Sequence, residues 1–150
     1  SLHFIRTVLN TKVNLEEQTF RGGSKTNAGK DRIVPIHHLI YPLVEKHYRE
    51  AKRLNSPRLF NIQTFVEGDF SFIYYELYAR QFKVIINRLA LDPRHHTHDC
   101  RKTFVTMAKR ANVDEYAIKR IIGHQIADLT ERVYTDRSID WLRSEIEKIH

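Results

Sequence analysis

Cysteine is nearly absent from this chain, in which Cys100 is the single instance among 150 residues. One cysteine cannot form an internal disulfide, so the fold does not depend on one and a reducing compartment is expected. No run of residues approaches the roughly eighteen apolar positions that a membrane-spanning helix needs. The first residues, Ser-Leu-His-Phe-Ile-Arg, lack the pattern of a secretory signal peptide. These absences together predict an intracellular, cytoplasmic protein.

The remaining composition is that of one globular domain, residues 1–150, with 41% hydrophobic and 29% charged residues. Basic residues are in excess, since 25 Lys and Arg stand against 18 Asp and Glu and give a net charge of +7. A domain with a pI of about 9.6 is a candidate for binding a polyanion, usually a nucleic acid. The charge alone is also consistent with a solvated basic surface that has no specific partner.

The excess of positive charge is greatest in residues 94–124, which contain seven Lys and Arg against three acidic residues. Five basic side chains of this segment are candidates for contacting DNA phosphates without reading the base sequence. They are Lys102, Lys109, Arg110, Lys119 and Arg120. A nucleic-acid-binding face is therefore expected in the middle of the C-terminal half.

The spacing of apolar residues predicts a small β-hairpin followed by about six helices, an α+β fold that is mainly α-helical. The hairpin strands are predicted at Thr19–Arg21 and Arg32–Ile36, on either side of a polar turn that contains glycines. Residues 58–70 are predicted to be mostly loop. The predicted helices are 38–54, 71–91, 97–111, 112–123, 129–134 and 139–149.

Three of these helices are predicted from apolar stripes, in which residues at spacings of three and four lie on one face. In chain order the stripes are Leu39, Leu43, Val44, His47 and Ala51; Ile118, Ile121 and Ile122; and Leu142, Ile146 and Ile149. Gly123 directly follows the second stripe. It predicts the end of that helix, because glycine readily adopts the left-handed conformation of a C-cap.

His98 and Arg101 lie three residues apart at the start of a predicted helix, so both side chains project from the same face. The first turn of a helix also presents unpaired N–H groups and the positive end of the helix dipole. An imidazole, a guanidinium and a positive helix end together suit a phosphodiester, because Arg binds two phosphate oxygens at once. The pair by itself is equally consistent with a first-turn histidine and a surface arginine.

His124 directly follows a predicted helix end, and Tyr134 follows ten residues later. A tyrosine in an amphipathic segment is by itself more commonly a half-buried core residue than a nucleophile. An ordered set nevertheless emerges: His98, Arg101, His124 and Tyr134. This set resembles the signature of the tyrosine recombinases, the phage integrase family of site-specific DNA recombinases. That signature is His-x-x-Arg, then Leu-Gly-His, then a Tyr followed by Thr, and here Ile122 replaces the Leu.

The predicted hairpin resembles the same family, in a Lys-Thr … Arg-x-Val-Pro stretch that begins at Lys25 and ends at Pro35. The family's lysine is a general acid, and it corresponds to Lys25, with Lys30 as the alternative; by itself Lys25 is also consistent with a solvated turn residue. The resemblance covers residues 12–149 and is strongest to integrases of bacterial conjugative transposons and prophages. It implies an integrase-like fold for DNA breaking and rejoining, and a cytoplasmic location at the bacterial nucleoid.

The resemblance also implies a role for each residue of the set. Tyr134 attacks a DNA phosphodiester to give a 3′-phosphotyrosyl intermediate, and strand exchange and religation then complete DNA integration or excision. Arg101 and His124 bind the non-bridging oxygens of the phosphate. His98 accepts the proton of the tyrosine, and Lys25 protonates the leaving 5′-oxygen. No cofactor is implied, because one phosphodiester replaces another.

One element of the family signature has no match in this chain. A further arginine, in a Gly-x-Arg-x-Ser-Glu-Leu-like helix, is expected at or before residue 1. Arg6 is too close to Lys25 and its neighbours do not match that motif, so the role is not assigned to it. The chain is therefore expected to be a catalytic domain truncated on its N-terminal side. The expected partner is double-stranded DNA, bound by a tetramer in which helix 139–149 packs either in cis or on a neighbouring subunit.

Four potential metal ligands lie close together in sequence: His95, His96, His98 and Cys100. Structural zinc needs four tetrahedral ligands, which normally come as two spaced pairs. One cluster without a second predicts no metal site.

Two other functions remain open at this point. A type IB topoisomerase uses the same tyrosine chemistry but relaxes DNA without exchanging strands between partners. A catalytically impaired DNA-binding module is consistent with the missing arginine. DNA binding without a covalent protein–DNA adduct would distinguish this module from both enzymes.

Overall fold

A computed structural model describes residues 12–23, 30–63, 70–73, 75–125 and 138–150. These ranges contain two antiparallel sheets and five helices, which confirms the predicted α+β class. The strands are β1 (Lys12–Asn14), β2 (Thr19–Gly22), β3 (Arg32–Pro35), β4 (Asn61–Gln63) and β5 (Phe70–Phe72). The helices are α1 (Tyr41–Arg53), α2 (Tyr75–Arg88), α3 (Asp99–Arg110), α4 (Glu115–Ile122) and α5 (Ile139–Ile146). None of the described helices is both long and apolar enough to cross a membrane.

The first sheet has the strand order β1-β2-β3. Phe20 of β2 lies opposite Val34 of β3, and Gly22 lies opposite Arg32, so the two predicted hairpin strands are confirmed. The turn between them, residues 24–29, falls outside the described residues. The bounds of strand β1 are not predicted from the sequence, because three residues are too few for an alternating pattern to be recognised. Strand β3 lies against α4 and α5, so the sheet is joined to the helical part of the fold.

Helix α1 buries only part of its predicted stripe. Val44 and Ala51 are buried, but Leu39 and Leu43 are 61% and 60% exposed. Leu39 precedes the helix and therefore does not follow its period. Leu43 is rotated by about 100° from Val44 around the helix axis. The inward face of α1 is thus narrower than the sequence suggests.

Strands β4 and β5 form a second antiparallel pair where the sequence predicts loop over 58–70. The loop prediction is wrong at 61–63 and at residue 70, because each strand has only three residues, too few for a period of two to stand out. The pair also moves the start of the following helix from the predicted Ser71 to Tyr75.

The main core lies between α3, α4 and α5. Ile118, Ile121 and Ile122 of α4 are buried, as are Leu142 and Ile146 of α5, so both predicted stripes are confirmed. Burying such side chains contributes roughly 25 cal/mol per Å² of apolar surface removed from water. This packing fixes α4 in place, and with it the residues that follow its C-terminal end.

Helix α5 packs on the rest of the same chain. The buried carboxylate of Glu145 accepts the N–H of Asp114 at 2.8 Å, and Asp114 in turn caps the start of α4 by accepting the N–H of Tyr116 at 2.9 Å. Arg143 donates to the carbonyl of Glu17 at 2.6 Å. In this structure the C-terminal helix therefore packs in cis, one of the two arrangements left open by the sequence.

Candidate active site

The C-terminal turn of α4 determines where His124 lies. Gly123 adopts a left-handed conformation with φ 70°, and the helix ends there, as the sequence predicts. The N–H of Gly123 bonds the carbonyl of Arg120 at 3.2 Å, and the N–H of His124 bonds the carbonyl of Lys119 at 2.9 Å. These bonds satisfy two of the last four carbonyls of the helix, which have no partner within the helix itself.

Two arginines bond the other two carbonyls of this turn. Arg101 of α3 donates from Nη2 to the carbonyl of Ile122. Arg32 of β3 donates from Nε to the carbonyl of Ile121 at 3.1 Å. The carbonyl end of a helix carries partial negative charge, so it attracts both guanidinium groups. The structure thereby brings Arg101, a predicted site residue, to the turn that carries His124.

Both guanidinium groups are partly removed from water. Burial lowers the pKa of Arg101. The pKa of Arg32 is also lowered, by burial first and then by the positive charge of Arg101. Arginine nevertheless stays protonated at neutral pH, so two neighbouring positive charges remain. Among the described residues no carboxylate forms an ion pair with Arg101, which leaves its charge available to an external anion.

His98 occupies the N-cap position of α3, three residues before Arg101. Its Nδ1 is buried and has no hydrogen-bond partner within the part of the chain that the structure describes. Burial lowers the pKa of the imidazole, and nearby positive charges, including those of Arg101 and Lys102, lower it further. The ring is therefore mainly neutral at pH 7 and able to accept a proton. A buried polar atom without a partner costs stability, which makes this nitrogen a candidate functional group.

Asp99, the first residue of α3, holds several charged side chains near the helix start. Its carboxylate accepts the N–H of His96 at 3.1 Å and lies 3.3 Å from Nδ1 of His95 and 3.2 Å from Nζ of Lys102. The bond from His96 is the main reason that the pKa of Asp99 is held well below its usual range. Lys102, a predicted DNA contact, is thus paired on the surface. Such exposed pairs are weak, so a phosphate can replace the carboxylate.

Two of the histidines considered above as zinc ligands, His95 and His96, lie next to the carboxylate of Asp99. Besides the contact with His95, Asp99 lies 3.4 Å from Nδ1 of His96, and Cys100 is exposed. Within the described ranges, the one group of three potential metal ligands lies elsewhere, at His37, His38 and Glu147.

This second cluster joins the start of α1 to the C-terminal segment. The N–H of Leu39 donates to Nδ1 of His37 at 3.2 Å, which places the ring proton on Nε2, and Nε2 donates to the carbonyl of Ile149 at 2.9 Å. Both ring nitrogens of His37 are therefore in use, and neither offers a lone pair to a metal. His38 donates its N–H to the carboxylate of Glu147 at 2.9 Å, and Nδ1 of its ring also contacts that carboxylate. The contacts of His37, His38 and Glu147 fit a hydrogen-bonded cluster better than a metal centre, and we call this cluster the C-terminal clamp.

The five basic residues predicted to contact DNA all lie on α3 and α4. Lys102 and Arg110 line one exposed face of α3, with Thr103, Thr106 and Met107 between them, around an open depression of about 360 Å³. These positions recur at spacings of three and four, so they form one stripe along the helix. The stripe offers cations and hydroxyl groups to a polyanion.

The other three basic residues are placed differently. Lys109 is exposed near the C-terminal end of α3, whereas Lys119 and Arg120 on α4 are only partly exposed. Lys119 lies 3.9 Å from the carboxylate of Glu115. The freely exposed cations of the predicted set are therefore concentrated on α3.

Two predicted catalytic residues, Lys25 and Tyr134, lie outside the described residues, as does Arg6. Lys30, the alternative to Lys25, is exposed just before β3. Sequence reasoning did not single out Arg32, which the structure brings to the same helix end as Arg101. The only signal for it was its place at the start of the Arg-x-Val-Pro stretch, where an arginine is equally consistent with a solvated strand end.

No protein-family model, no curated protein and no solved structure matches this chain. The functional assignment therefore depends on the sequence motifs together with the geometry of the described residues.

Proposed function

We propose that this chain is the catalytic domain of a tyrosine recombinase, with an integrase-like fold and Tyr134 as the nucleophile that cleaves DNA. One observation carries the proposal: Arg101 bonds the carbonyl of Ile122 beside His124, although 21 positions separate the two bonded residues in sequence. His98, with its buried and unpartnered nitrogen, lies one helical turn from Arg101. Three of the motif residues thus belong to one region of the molecule, as a shared role requires.

The charge in this region suits a phosphodiester. During attack by the tyrosine, negative charge grows on the non-bridging oxygens of the phosphate. Arg101 is partly buried and has no carboxylate partner among the described residues, so its interaction with these oxygens is less screened than that of a surface arginine. His124 donates a hydrogen bond to the same oxygens. Removal of one such donor typically costs about two to three orders of magnitude in rate.

The proton transfers are divided between His98 and Lys25. As the phenolic oxygen of Tyr134 bonds to phosphorus, its proton passes to His98, which is neutral because burial and neighbouring cations lower its pKa. The bond from phosphorus to the 5′-oxygen breaks, and Lys25 donates a proton to that leaving oxygen. The free 5′-hydroxyl of a second strand then reverses the step. The phosphotyrosyl bond conserves the free energy of the cleaved phosphodiester bond, so no cofactor is required.

DNA is the partner that the surface of α3 favours. The stripe of Lys102, Thr103, Thr106 and Arg110 offers positive charge and hydroxyl donors along one helix face. We propose that it follows the phosphate backbone next to the cleavage site, in the cytoplasm at the bacterial nucleoid. Four catalytic domains then act together on two DNA duplexes.

The test is the formation of a covalent adduct. The natural full-length protein that contains this chain is incubated with nicked duplexes taken from the DNA that flanks its own gene. We expect a protein–DNA band that survives SDS, and we expect Tyr134→Phe to abolish it while DNA binding remains.

Tyr48→Phe is the matched control, because it removes the same hydroxyl from a partly exposed tyrosine of α1. The control should form as much adduct as the wild type. A band that survives Tyr134→Phe contradicts the choice of nucleophile. Tyr116 is a poor replacement in that case, since it is only 8% exposed.

A catalytically impaired DNA-binding module is the second candidate, and the exposed basic stripe of α3 is consistent with it. It predicts a mobility shift with duplex DNA and no adduct from the full-length protein. A type IB topoisomerase predicts an adduct and relaxation of supercoiled plasmid, without joining strands from two different duplexes.

A further inference from the structure

The C-terminal end of α4 is closed by a complete set of hydrogen bonds. The turn itself satisfies the carbonyls of Lys119 and Arg120. Arg32 satisfies the carbonyl of Ile121 at 3.1 Å, and Arg101 satisfies that of Ile122. Helix ends usually leave such carbonyls to water, so a cap built from two side chains of other elements is a specific feature of this turn.

Arg32 links this turn to a distant part of the chain. It lies 89 positions from Ile121 in sequence, and it reaches the helix end from β3, which packs against α4. Residue 32 also pairs with Gly22 across the hairpin, so the backbone of the arginine is fixed by the sheet. By sequence, the turn of this hairpin contains Lys25. The bond from Arg32 therefore connects the hairpin to the turn that carries His124.

The charge of Arg32 is not needed for this bond. A neutral amide side chain also donates a hydrogen bond to a carbonyl, without repulsion from a neighbouring cation. Here the guanidinium of Arg32 is partly buried beside that of Arg101, which lowers its pKa. Arg32→Gln therefore keeps a donor for the carbonyl of Ile121 while it removes the charge, whereas Arg32→Met removes both.

We infer that Arg32 is a positioning residue of the DNA-cleavage site: by bonding the carbonyl of Ile121, it holds the turn that presents His124. The inference rests on the proposed function for its catalytic part. Its structural part concerns only the described residues. The two parts are therefore tested by separate measurements.

The first measurement needs no DNA. Amide hydrogen exchange at His124, followed by NMR, is compared between the wild type, Arg32→Gln, Arg32→Met and a control. In Arg32→Met the carbonyl of Ile121 loses its donor at the helix end, so local opening should speed exchange by about fivefold or more. Arg32→Gln, which still has a donor, should be intermediate. Arg49→Gln is the control, because Arg49 pairs only with Glu45 on the exposed surface of α1 and should change nothing at His124.

The second measurement is the rate of adduct formation in the full-length protein. Arg32→Gln should lower the rate at saturating DNA by about tenfold or more, while the apparent Kd changes by less than about threefold. Combined with His124→Ala, it should cause little further loss, because both changes remove the same positioned donor.

Unchanged exchange at His124 in both variants overturns the inference, as does a fully additive effect of Arg32→Gln and His124→Ala. If Arg32→Met fails to fold, Arg32→Gln still decides both points. If the wild type forms no adduct, the proposed function fails, whereas the exchange data still decide whether Arg32 holds the turn.

Discussion

Replacing Glu145 should loosen the connection between α5 and α4. Its buried carboxylate accepts the N–H of Asp114 at 2.8 Å and contacts Nζ of Lys148 at 2.7 Å. In Glu145→Ala the N–H of Asp114 loses its partner, which costs about 1–3 kcal/mol. The ion pair adds little, because Lys148 is 43% exposed. Loss of the side-chain contacts brings the expected decrease in unfolding free energy to about 2–4 kcal/mol.

Glu145→Gln is the matched variant, because its amide oxygen still accepts the N–H of Asp114. We expect it to lose only about 1 kcal/mol. Urea unfolding can be followed through Trp141, the single tryptophan of the chain. Its ring lies 6.1 Å from that of Tyr116, so its fluorescence reports directly on the contact between α4 and α5.

Two results would refute this reasoning about Glu145. One is a loss below about 0.5 kcal/mol in Glu145→Ala, within the range of ordinary surface changes. The other is an unfolding midpoint that rises with protein concentration in the wild type. That dependence would mean that α5 packs on a neighbouring subunit rather than in cis.

Three further predictions concern the core, the site and the C-terminal clamp. Leu142→Ala, at a fully buried position, should lower the unfolding free energy by about 3 kcal/mol in urea titration; a change below 1 kcal/mol would place this residue outside the core. The rate of adduct formation should fall at acid pH as His98 is protonated, with a midpoint below the ordinary histidine pKa of about 6.5, because burial and nearby positive charges lower the pKa of His98. A midpoint above about pH 6.5 would contradict the assignment. Burial acts to raise the pKa of Glu147, but bonds from His38 outweigh it and lower the pKa. The carboxylate therefore stabilises the fold above about pH 4.3, and this contribution is lost as pH falls through the lower folded pKa. Glu147→Gln should weaken the pH dependence of the melting temperature in that range, and an identical acid limb in the variant would argue against the clamp.

The features that were predicted best from the sequence are those that depend on the local spacing of residues. The stripes of α4 and α5 appear in the sequence because long apolar side chains recur at helical intervals, and Gly123 marks a helix end because few other residues tolerate its conformation. Strands of three residues contain no such period, which explains why the bounds of β1 and the β4–β5 pair were not predicted. The exposure of Leu39 and Leu43 could not be predicted, because a stripe does not show how much of a helix face its neighbours cover.

The candidate site was predictable only in part, for a similar reason. His98 and Arg101 are close in sequence, so their common helix face follows from helix geometry alone. The bond from Arg32 to Ile121 spans 89 positions, and no local sequence pattern indicates a contact between residues so far apart in the chain. The burial of Nδ1 of His98 likewise depends on tertiary packing. Long-range contacts and burial are therefore what the structure adds to the motif.

The central claim is that Tyr134 forms the bond to DNA. The most direct measurement is mass spectrometry of peptides from the covalent complex after the DNA has been digested to a short remnant. Our account predicts that the nucleotide is attached to the peptide containing Tyr134, through its phenolic oxygen and a 3′-phosphate. Attachment to any other residue, or through a 5′-phosphate, would contradict it.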